Sequence, residues 1–119
     1  MLTHQVAYDI GMDWIEKWNE PQLSNYCSLH ADDAEEISTI ANQLVHVSKG
    51  RIKGKHSLNN YWELFRQLHP DYQFVLQQII IYGNYIVVHF TIKESNTKAI
   101  AKIILNNKNK IQKTMISHV

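Results

Sequence analysis

Residues 85–94, YIVVHFTIKE, are rich in β-branched and aromatic side chains, which is typical of a β-strand. Three similar runs flank this one: YQFVLQQIIIYG at 72–83, KAIAKIIL at 98–105 and KIQKTMISHV at 110–119. Gly-Asn, Ser-Asn-Thr and Asn-Asn-Lys-Asn separate the four runs, and short segments of this kind form turns between antiparallel strands. The C-terminal half of the chain therefore predicts an antiparallel meander.

Three helices are expected before the meander. The first covers residues 4–19, because apolar residues recur there at the spacing of one helical face. These residues are Val6, Ile10, Trp14 and Trp18. A short second helix begins at Pro21 and ends near Ala31. The third repeats apolar residues from Leu58 to Leu68 and ends at His69-Pro70, since the residue before a proline leaves the helical region.

The segment between the second and third helices is predicted to be less regular. The acidic stretch HADDAEE at 30–36 is interpreted as a charged turn. EEISTI at 35–40 predicts a short strand, and the scattered polar residues of 42–54 predict a long loop that Gly54 closes. Helices followed by antiparallel strands indicate an α+β fold, in which the helices cover one face of a curved sheet.

The composition fits one domain over residues 1–119, because a chain of this length buries a core of its own. A formal net charge of +1 gives no overall field that would attract nucleic acid or an anionic membrane. No apolar run approaches the roughly 20 residues of a membrane-spanning helix. The single cysteine, Cys27, and the absence of a basic and apolar leader point to a cytoplasmic setting.

Several short motifs occur in an order that resembles the nuclear transport factor 2-like superfamily, in its SnoaL-like and ketosteroid-isomerase-like branch. The motifs are W..KWN in the first helix, YCSLHADDAE after the second, GKHSLNNYWELFRQLHPD over the third and NKIQKTMISH at the end. The resemblance covers nearly the whole chain. It implies a cone-shaped roll, in which three N-terminal helices pack on a strongly curved antiparallel or mixed sheet around a pocket.

The resemblance also implies positions for catalytic groups, and this chain differs from the isomerase pattern at each of them. The donor tyrosine of the isomerases corresponds to Trp14, their general-base carboxylate to Ser38 and their second acid to Ala101. Isomerisation by that mechanism is therefore not expected. Glu36 would be the base if the register were shifted by two, because side chains two apart on a strand point the same way.

Two histidines are the candidate polar groups of the pocket. The resemblance places the face of strand 85–93 that carries His89 on the concave side, and the face with Ile116 and His118 on the pocket wall. Trp14, Trp18, Tyr26 and Tyr61 are the candidate aromatic neighbours. An imidazole donates and accepts protons near neutrality, so His89 and His118 are candidate ligand anchors or catalytic groups. The alternative is that His89 is a hydrogen-bonded core residue and that His118 is solvated near the chain end.

Other motifs favour structural roles. Alternate basic residues in KGRIKGK at 49–55 could hold phosphate, but no aromatic residue is interleaved and a solvated loop is preferred. Cys27 has apolar neighbours on a short helix, which favours packing over nucleophilic chemistry. The seven histidines do not fall at metal-ligand spacing with a carboxylate or thiolate. No metal and no cofactor is therefore expected.

Three functions remain open from the sequence. The preferred one is a domain that binds an apolar or aromatic small molecule. The second is a His-dependent isomerase, cyclase or dehydratase of a polyketide-like or cyclic carbonyl compound, with Trp14 or Tyr61 steadying the oxyanion. The third is a protein-interaction module without a ligand.

A homodimer is expected through the outer face of the sheet. In strand 98–105 the small residues Ala99 and Ala101 are assigned to the cavity side. Ile100, Lys102 and Ile104 then form part of the outer surface, where exposed isoleucines favour pairing with a second copy.

Overall fold

The computed structural model describes residues 3–38 and 49–118. Three helices occur in this part of the chain: α1 (His4–Trp18), α2 (Ser24–Ser28) and α3 (Lys55–Leu68). The strands are β1 (His30–Ser38), β2 (Arg51–Lys53), β3 (Phe74–Tyr82), β4 (Tyr85–Ile92), β5 (Thr97–Leu105) and β6 (Ile111–His118). The first and third helices and the four strands of the meander lie where the sequence predicts them, while α2 is shorter than predicted.

The strands form one mixed sheet in the order β2-β1-β6-β5-β4-β3. β1 and β6 run parallel, and the other neighbouring pairs are antiparallel. The register shifts between Leu76 and Gln78 of β3 and between Ile104 and Leu105 of β5, and such bulges bend a strand. The helices pack on one face of this bent sheet, which confirms the predicted α+β cone-shaped roll.

The segment before α3 differs from the prediction. Residues 30–36 do not form a turn but belong to β1, where Asp32 and Asp33 are exposed and Ala34 is buried. β2 lies inside the predicted loop and pairs with residues 35–37 of β1. This segment forms a strand because β2 and β6 pair with it and satisfy its backbone hydrogen-bonding groups. The local composition does not reveal these partners. Positions 39–40 of the predicted strand and 42–48 of the predicted loop lie outside the described residues.

The core lies between the helices and the inner face of the sheet. Trp14 is fully buried, with its ring centroid 5.4 Å from that of Phe74 and 5.3 Å from that of Phe90. β5 contributes Ala99, Ala101 and Ile103 to this face, all of them buried. Ile100, Lys102 and Ile104 are only half-buried, so the predicted inner and outer faces of β5 are confirmed.

His89 lies on the outer face of the sheet, so the prediction that it faces the pocket is wrong. Its cross-strand neighbours are Gln78 of β3 and Ile100 of β5, and directly opposed residues of antiparallel strands share a face. The buried residues of β4 are Ile86, Val88, Phe90 and Ile92. This set is wholly apolar, so turning it inward removes more apolar surface from water than burying the set that contains His89.

Candidate functional site

A crevice opens between the helices and the inner face of the sheet. The space between its walls, together with the open solvent at its mouth, measures about 400 Å³. Only about 30 Å³ of this space admits the centre of a water molecule. The crevice is therefore a narrow slot, with room for one or two waters between its present walls. The helices line it with Trp18, Tyr26, Tyr61, Trp62 and Phe65.

The sheet supplies the other walls of the crevice. Tyr72 precedes β3, and Phe74, Phe90 and Ile92 follow on β3 and β4. β1 and β6 contribute Glu36, Ser38, Ile116 and His118. The two strands run in parallel register, with Glu36 beside Thr114 and Ser38 beside Ile116, so these side chains share one face. The polar groups of the crevice therefore come from β1 and β6, and most of its aromatic rings come from the helices.

The C-terminal end of α1 is tied to the start of β3. The indole N–H of Trp18 donates to the backbone carbonyl of Tyr72 at 3.0 Å. The side-chain amide of Asn19 donates to the Phe74 carbonyl and accepts from the Phe74 N–H, both at 2.8 Å. The rings of Trp18 and Phe74 stack 5.1 Å apart. These contacts hold three of the crevice's aromatic residues in fixed relative positions.

Arg66 of α3 joins the same end of α1 to the third helix. Its guanidinium donates to the backbone carbonyls of Trp18, of Glu20 at 2.6 Å and of Pro21 at 3.2 Å. It also lies 4.9 Å from the centre of the Trp18 ring, in cation–π range. Arg66 thus pairs with the last carbonyl of α1 and with two carbonyls of the segment that follows the helix, and it orients one wall of the crevice.

Glu36 is the acidic side chain of the crevice and is only 4% exposed. Alternation along β1 turns it toward the helices, whereas its neighbour Glu35 points outward to Arg51 and Lys113. The indole N–H of Trp62 donates to Glu36 Oε1 at 3.3 Å. Within residues 3–38 and 49–118 no lysine or arginine forms an ion pair with Glu36. Glu36 is therefore a buried carboxyl without a cationic partner from the described chain.

The pKa values of the crevice follow from burial. Burial raises the pKa of Glu36 from 4.5 to about 7, and the hydrogen bond from Trp62 opposes part of this rise. Burial, reinforced by the charge of Glu36, also raises the pKa values of Tyr26 and Tyr61 well above 10. At neutral pH the carboxyl is thus close to half ionised, and the tyrosines stay neutral hydrogen-bond donors.

His118 in the crevice and His30 beside its Trp62 wall are both neutral at pH 7. Burial lowers the pKa of His118, which lines the crevice. His30 is almost fully buried behind it, with its ring centroid 4.6 Å from that of Trp62. His30 Nδ1 donates to the backbone carbonyl of Tyr26 at 2.9 Å, and burial lowers its pKa to about 4. Of the two, only His118 is placed to touch a ligand in the crevice.

Most of the residues that the sequence predicts for the pocket border the crevice. They are Trp18, Tyr26, Ser38, Tyr61, Ile116 and His118. Glu36, predicted as a base only for a shifted register, borders it as well. The arrangement therefore brings together one candidate histidine and the candidate carboxyl.

Trp14, Ala101 and His89 do not border the crevice. Trp14 lies one helical turn before Trp18 and is covered by core rings. Ala101 is fully buried opposite Ile116 on β6, whose longer side chain reaches the crevice instead. His89 lies across the sheet from the crevice. The sequence misplaces these three residues because the family resemblance gives only the position of a residue along its helix or strand. It does not show how deeply a side chain is buried or, for His89, which face of the strand carries it.

Sequence reasoning missed Trp62, Phe65, Tyr72, Phe74, Phe90 and Ile92 as lining residues. Trp62 and Phe65 belong to the apolar repeat of the third helix, where they could be interpreted only as core. Phe90 and Ile92 were missed because their face of β4 was assigned to the outside. The pairing of β4 with β5 identifies Phe90 and Ile92 as inward residues, because Phe90 lies directly opposite Ala99, which faces the core.

Groups outside the crevice give little support for other sites. In the described part of the chain, no cluster of three or more His, Cys, Asp or Glu residues could hold a metal ion. The thiol of Cys27 is free and half-buried. Arg51 and Lys53 are the exposed ends of β2. None of the helices in residues 3–38 and 49–118 is long and apolar enough to cross a membrane.

Comparison with solved structures shows a shared fold. A SnoaL-like protein of unknown function from Burkholderia thailandensis is similar with a TM-score of 0.91 and 21% identity, over 98% of this chain and 97% of that chain. A nuclear transport factor 2-like protein of unknown function from Cytophaga hutchinsonii has a TM-score of 0.74 and 12% identity, over 100% and 95%. A protein of ketosteroid isomerase-like fold from Catenulispora acidiphila, in complex with trimethylamine, has a TM-score of 0.71 and 10% identity, over 92% and 84%.

Sequence comparison gives the family. No curated protein matches the chain significantly by sequence. The profile of the SnoaL-like domain matches residues 12–111, which is most of the chain. This match agrees with the fold and with the order of the motifs along the sequence. The chain therefore belongs to the SnoaL-like domain family, and it shares its fold with the nuclear transport factor 2-like structure.

Proposed function

We propose that this domain binds a compact, largely apolar small molecule in the crevice. The observation that carries the proposal is the lining. Eight aromatic residues and two isoleucines surround three other polar side chains, Glu36, Ser38 and His118. Clefts with mostly apolar walls and a few fixed polar groups are where proteins bind small ligands. The rings supply apolar contact area, and the polar groups orient the ligand.

The size of the crevice favours a compact ligand. Only about 30 Å³ of the crevice admits the centre of a water molecule, far less than the range of about 300–1,000 Å³ for ligand pockets, so a ligand enters only when side chains of the walls move. A small molecule fits after local side-chain movement, whereas a large polycyclic one requires the walls to separate. The Catenulispora protein of the same fold is in complex with trimethylamine, which supports a compact ligand.

Native mass spectrometry of the purified protein tests the proposal, followed by thermal-shift screening with small aromatic, cyclic and amine compounds. A ligand that binds the folded state raises the melting temperature. Ile116→Trp places a large ring in the crevice and is expected to abolish the retained mass and the shifts. Leu68→Trp, at an exposed position of α3, is the matched control and is expected to keep both. Equal behaviour of the two variants would contradict the proposal.

A second candidate function is proton transfer at carbon, for which the pKa of about 7 at Glu36 is the specific support. The carboxylate removes a proton from a carbon next to a carbonyl, and the electron pair of the broken C–H bond moves onto the carbonyl oxygen. Tyr61, a neutral donor on the helix wall of the crevice, hydrogen-bonds the resulting enolate. Glu36 then returns the proton to carbon. In this scheme Glu36 takes the role that the sequence assigned to His89 or His118.

Deuterium exchange tests the second candidate without knowledge of the substrate. Small cyclic ketones are incubated with the protein in D₂O, and loss of the proton signal next to the carbonyl is followed by NMR. Glu36→Gln is expected to lower the exchange rate by about 10² to 10⁴, the usual contribution of a general base. Glu35→Gln, on the outer face of the same strand, is expected to leave it unchanged. Exchange that survives Glu36→Gln would rule out this role.

A homodimer through the outer face of the sheet is part of the proposal. Ile100 and Ile104 of β5 are half-buried there, and Val75 and Ile80 of β3 are exposed on the sheet. Apolar side chains on one sheet face favour pairing with the same face of a second copy. Sedimentation at micromolar concentration is expected to give twice the mass of one chain. Ile100→Glu is expected to give one chain, and a wild-type mass of one chain would contradict the dimer.

A cytoplasmic location is the remaining part of the proposal. Cys27 is the sole cysteine and its thiol is free, so the fold needs no oxidising compartment. Fractionation of cells that produce the protein from its own gene is expected to place it in the cytoplasmic fraction. Recovery from an extracellular or periplasmic fraction would contradict this location.

A further inference from the structure

We infer that the ligand of the crevice is a compact organic ammonium ion, whose positive nitrogen lies against Glu36 and whose carbon groups lie among the aromatic rings. The inference rests on the proposed function, because it requires that the crevice binds a small molecule. It adds the chemical class of that molecule. Three properties of the described residues support a cation rather than a neutral compound.

The first property is the missing countercharge of Glu36. Buried charges in proteins are paired with an opposite charge, and a carboxylate has room for about four hydrogen bonds. Glu36 receives one from Trp62, at 3.3 Å. The nearby cations Arg51 and Lys113 are bound to Glu35 on the other face of the sheet. An ammonium group on the ligand supplies the partner that the described chain does not.

The second property is the absence of positive charge along the crevice. Within residues 3–38 and 49–118 its lining contains no lysine and no arginine, and His118 is neutral at pH 7 because burial lowers its pKa. Arg66 contacts the Trp18 ring, but its guanidinium is held by three backbone carbonyls. At pH 7 the only formal charge on the described residues of the lining is thus the negative charge of Glu36. A cation entering the crevice meets attraction without a competing cation.

The third property is the set of aromatic rings beside the carboxyl. The ring of Trp62, whose N–H contacts Glu36, is 4.8 Å from the ring of Tyr26. Tyr61 also lines the crevice, where burial, reinforced by the charge of Glu36, raises the pKa of its hydroxyl. Aromatic faces attract ammonium groups, and more strongly when water is excluded. The carboxylate therefore matches the charged nitrogen of an alkylammonium ion, and the aromatic rings match its apolar alkyl groups.

A pair of probes with the same shape tests the inference. Choline is compared with its uncharged analogue, in which a tert-butyl group replaces the trimethylammonium group, by titration calorimetry against the wild-type protein. We expect choline to bind at least about tenfold more tightly than the analogue. Glu36→Gln is expected to remove this difference by weakening choline alone. Glu35→Gln, on the outer face, is expected to preserve the difference.

Glu36→Asp keeps the charge and is expected to retain most of the preference for choline, which separates a charge effect from a loss of folding. Equal affinity of the two probes for the wild type would overturn the ammonium class while leaving the proposed small-molecule site intact. Binding of neither probe would also overturn it, and the comparison of Ile116→Trp with Leu68→Trp then judges the proposed function separately.

Discussion

Trp62 donates its indole N–H to the carboxylate of Glu36 across 3.3 Å, so the third helix directly contacts the acidic group that the described chain places in the crevice. This hydrogen bond stabilises the charged form of a carboxyl that burial otherwise drives toward its neutral form. The pKa of Glu36 is thus the balance of two opposing effects, and one of them depends on a single N–H group.

Trp62→Phe is expected to raise the pKa of Glu36 by about one unit, which corresponds to the loss of about 1.4 kcal/mol of stabilisation of the charged form. The phenyl ring keeps most of the packing and removes the donor. Carbon-detected NMR titration of the Glu36 carboxyl measures the change. Trp18→Phe is the control, because the Trp18 indole donates to the Tyr72 carbonyl and not to Glu36. An unchanged or lowered pKa in Trp62→Phe would contradict the expectation.

The pH dependence of stability is expected to show two opposing contributions. The pKa of Glu36 is raised from 4.5 to about 7, so the folded state binds the proton more tightly and stability increases as pH falls through this window. The pKa of His30 is lowered from 6.5 to about 4, so stability decreases as pH falls from 6.5. Each shift corresponds to about 3 kcal/mol, and the two nearly cancel in the wild type.

Glu36→Gln removes one of these contributions and leaves the other. We expect the variant to be more stable than the wild type by about 3 kcal/mol near pH 8, and to lose this advantage on acidification toward pH 4.5. Urea unfolding at a series of pH values measures the difference. Glu35→Gln, whose carboxylate is partly solvated and ion-paired, is not expected to show it. A difference between Glu36→Gln and wild type that does not change with pH would refute the assignment.

Asn19, the half-buried residue that directly follows α1, is expected to be sensitive to substitution. Asn19→Ala removes both hydrogen bonds to the Phe74 backbone and leaves an N–H and a carbonyl of β3 unpaired. The expected loss is about 2 kcal/mol in the free energy of unfolding. Asn25→Ala, which removes one exposed contact to Glu20, is expected to cost less than about 0.5 kcal/mol. Equal losses in chemical denaturation would argue against the proposed tie.

Arg66→Lys is expected to destabilise the protein by about 2 kcal/mol although the charge is kept. A lysine ammonium cannot reach three carbonyls and lie flat over the Trp18 ring at once. Arg51→Lys is the control, because the Arg51 side chain is 60% exposed and its ion pair with Glu35 is worth little. Chemical denaturation of both variants distinguishes the two sites, and a harmless Arg66→Lys would contradict this role.

The sequence predicted the strands of the meander because their signal is local. Alternating apolar residues bounded by turn segments identify β3 to β6, and small residues in β5 identify its inner face. The inner face of β4 could not be identified in this way. Both of its faces carry β-branched residues, and only the pairing of His89 with Ile100 shows which face is outside.

The prediction failed at Glu36 for a different physical reason. Four acidic residues within 32–36 are typical of an exposed turn, and nothing local marks one of them as buried. The strand exists because β6, far along the chain, pairs with it in parallel and places Glu36 beside Thr114. Local composition cannot report a partner at that separation, so the most distinctive group of the crevice was predicted only as an alternative.

The parallel pairing of β1 with β6 also sets the order in which the protein can assemble during synthesis. Glu36 lies on β1, the first strand along the chain, whereas its neighbour Thr114 lies on β6 and is translated long after it. Until β6 has been synthesised, β1 lacks this neighbour and Glu36 is open to water. The burial that raises the pKa of Glu36 is therefore complete only after two strands far apart in the chain have paired.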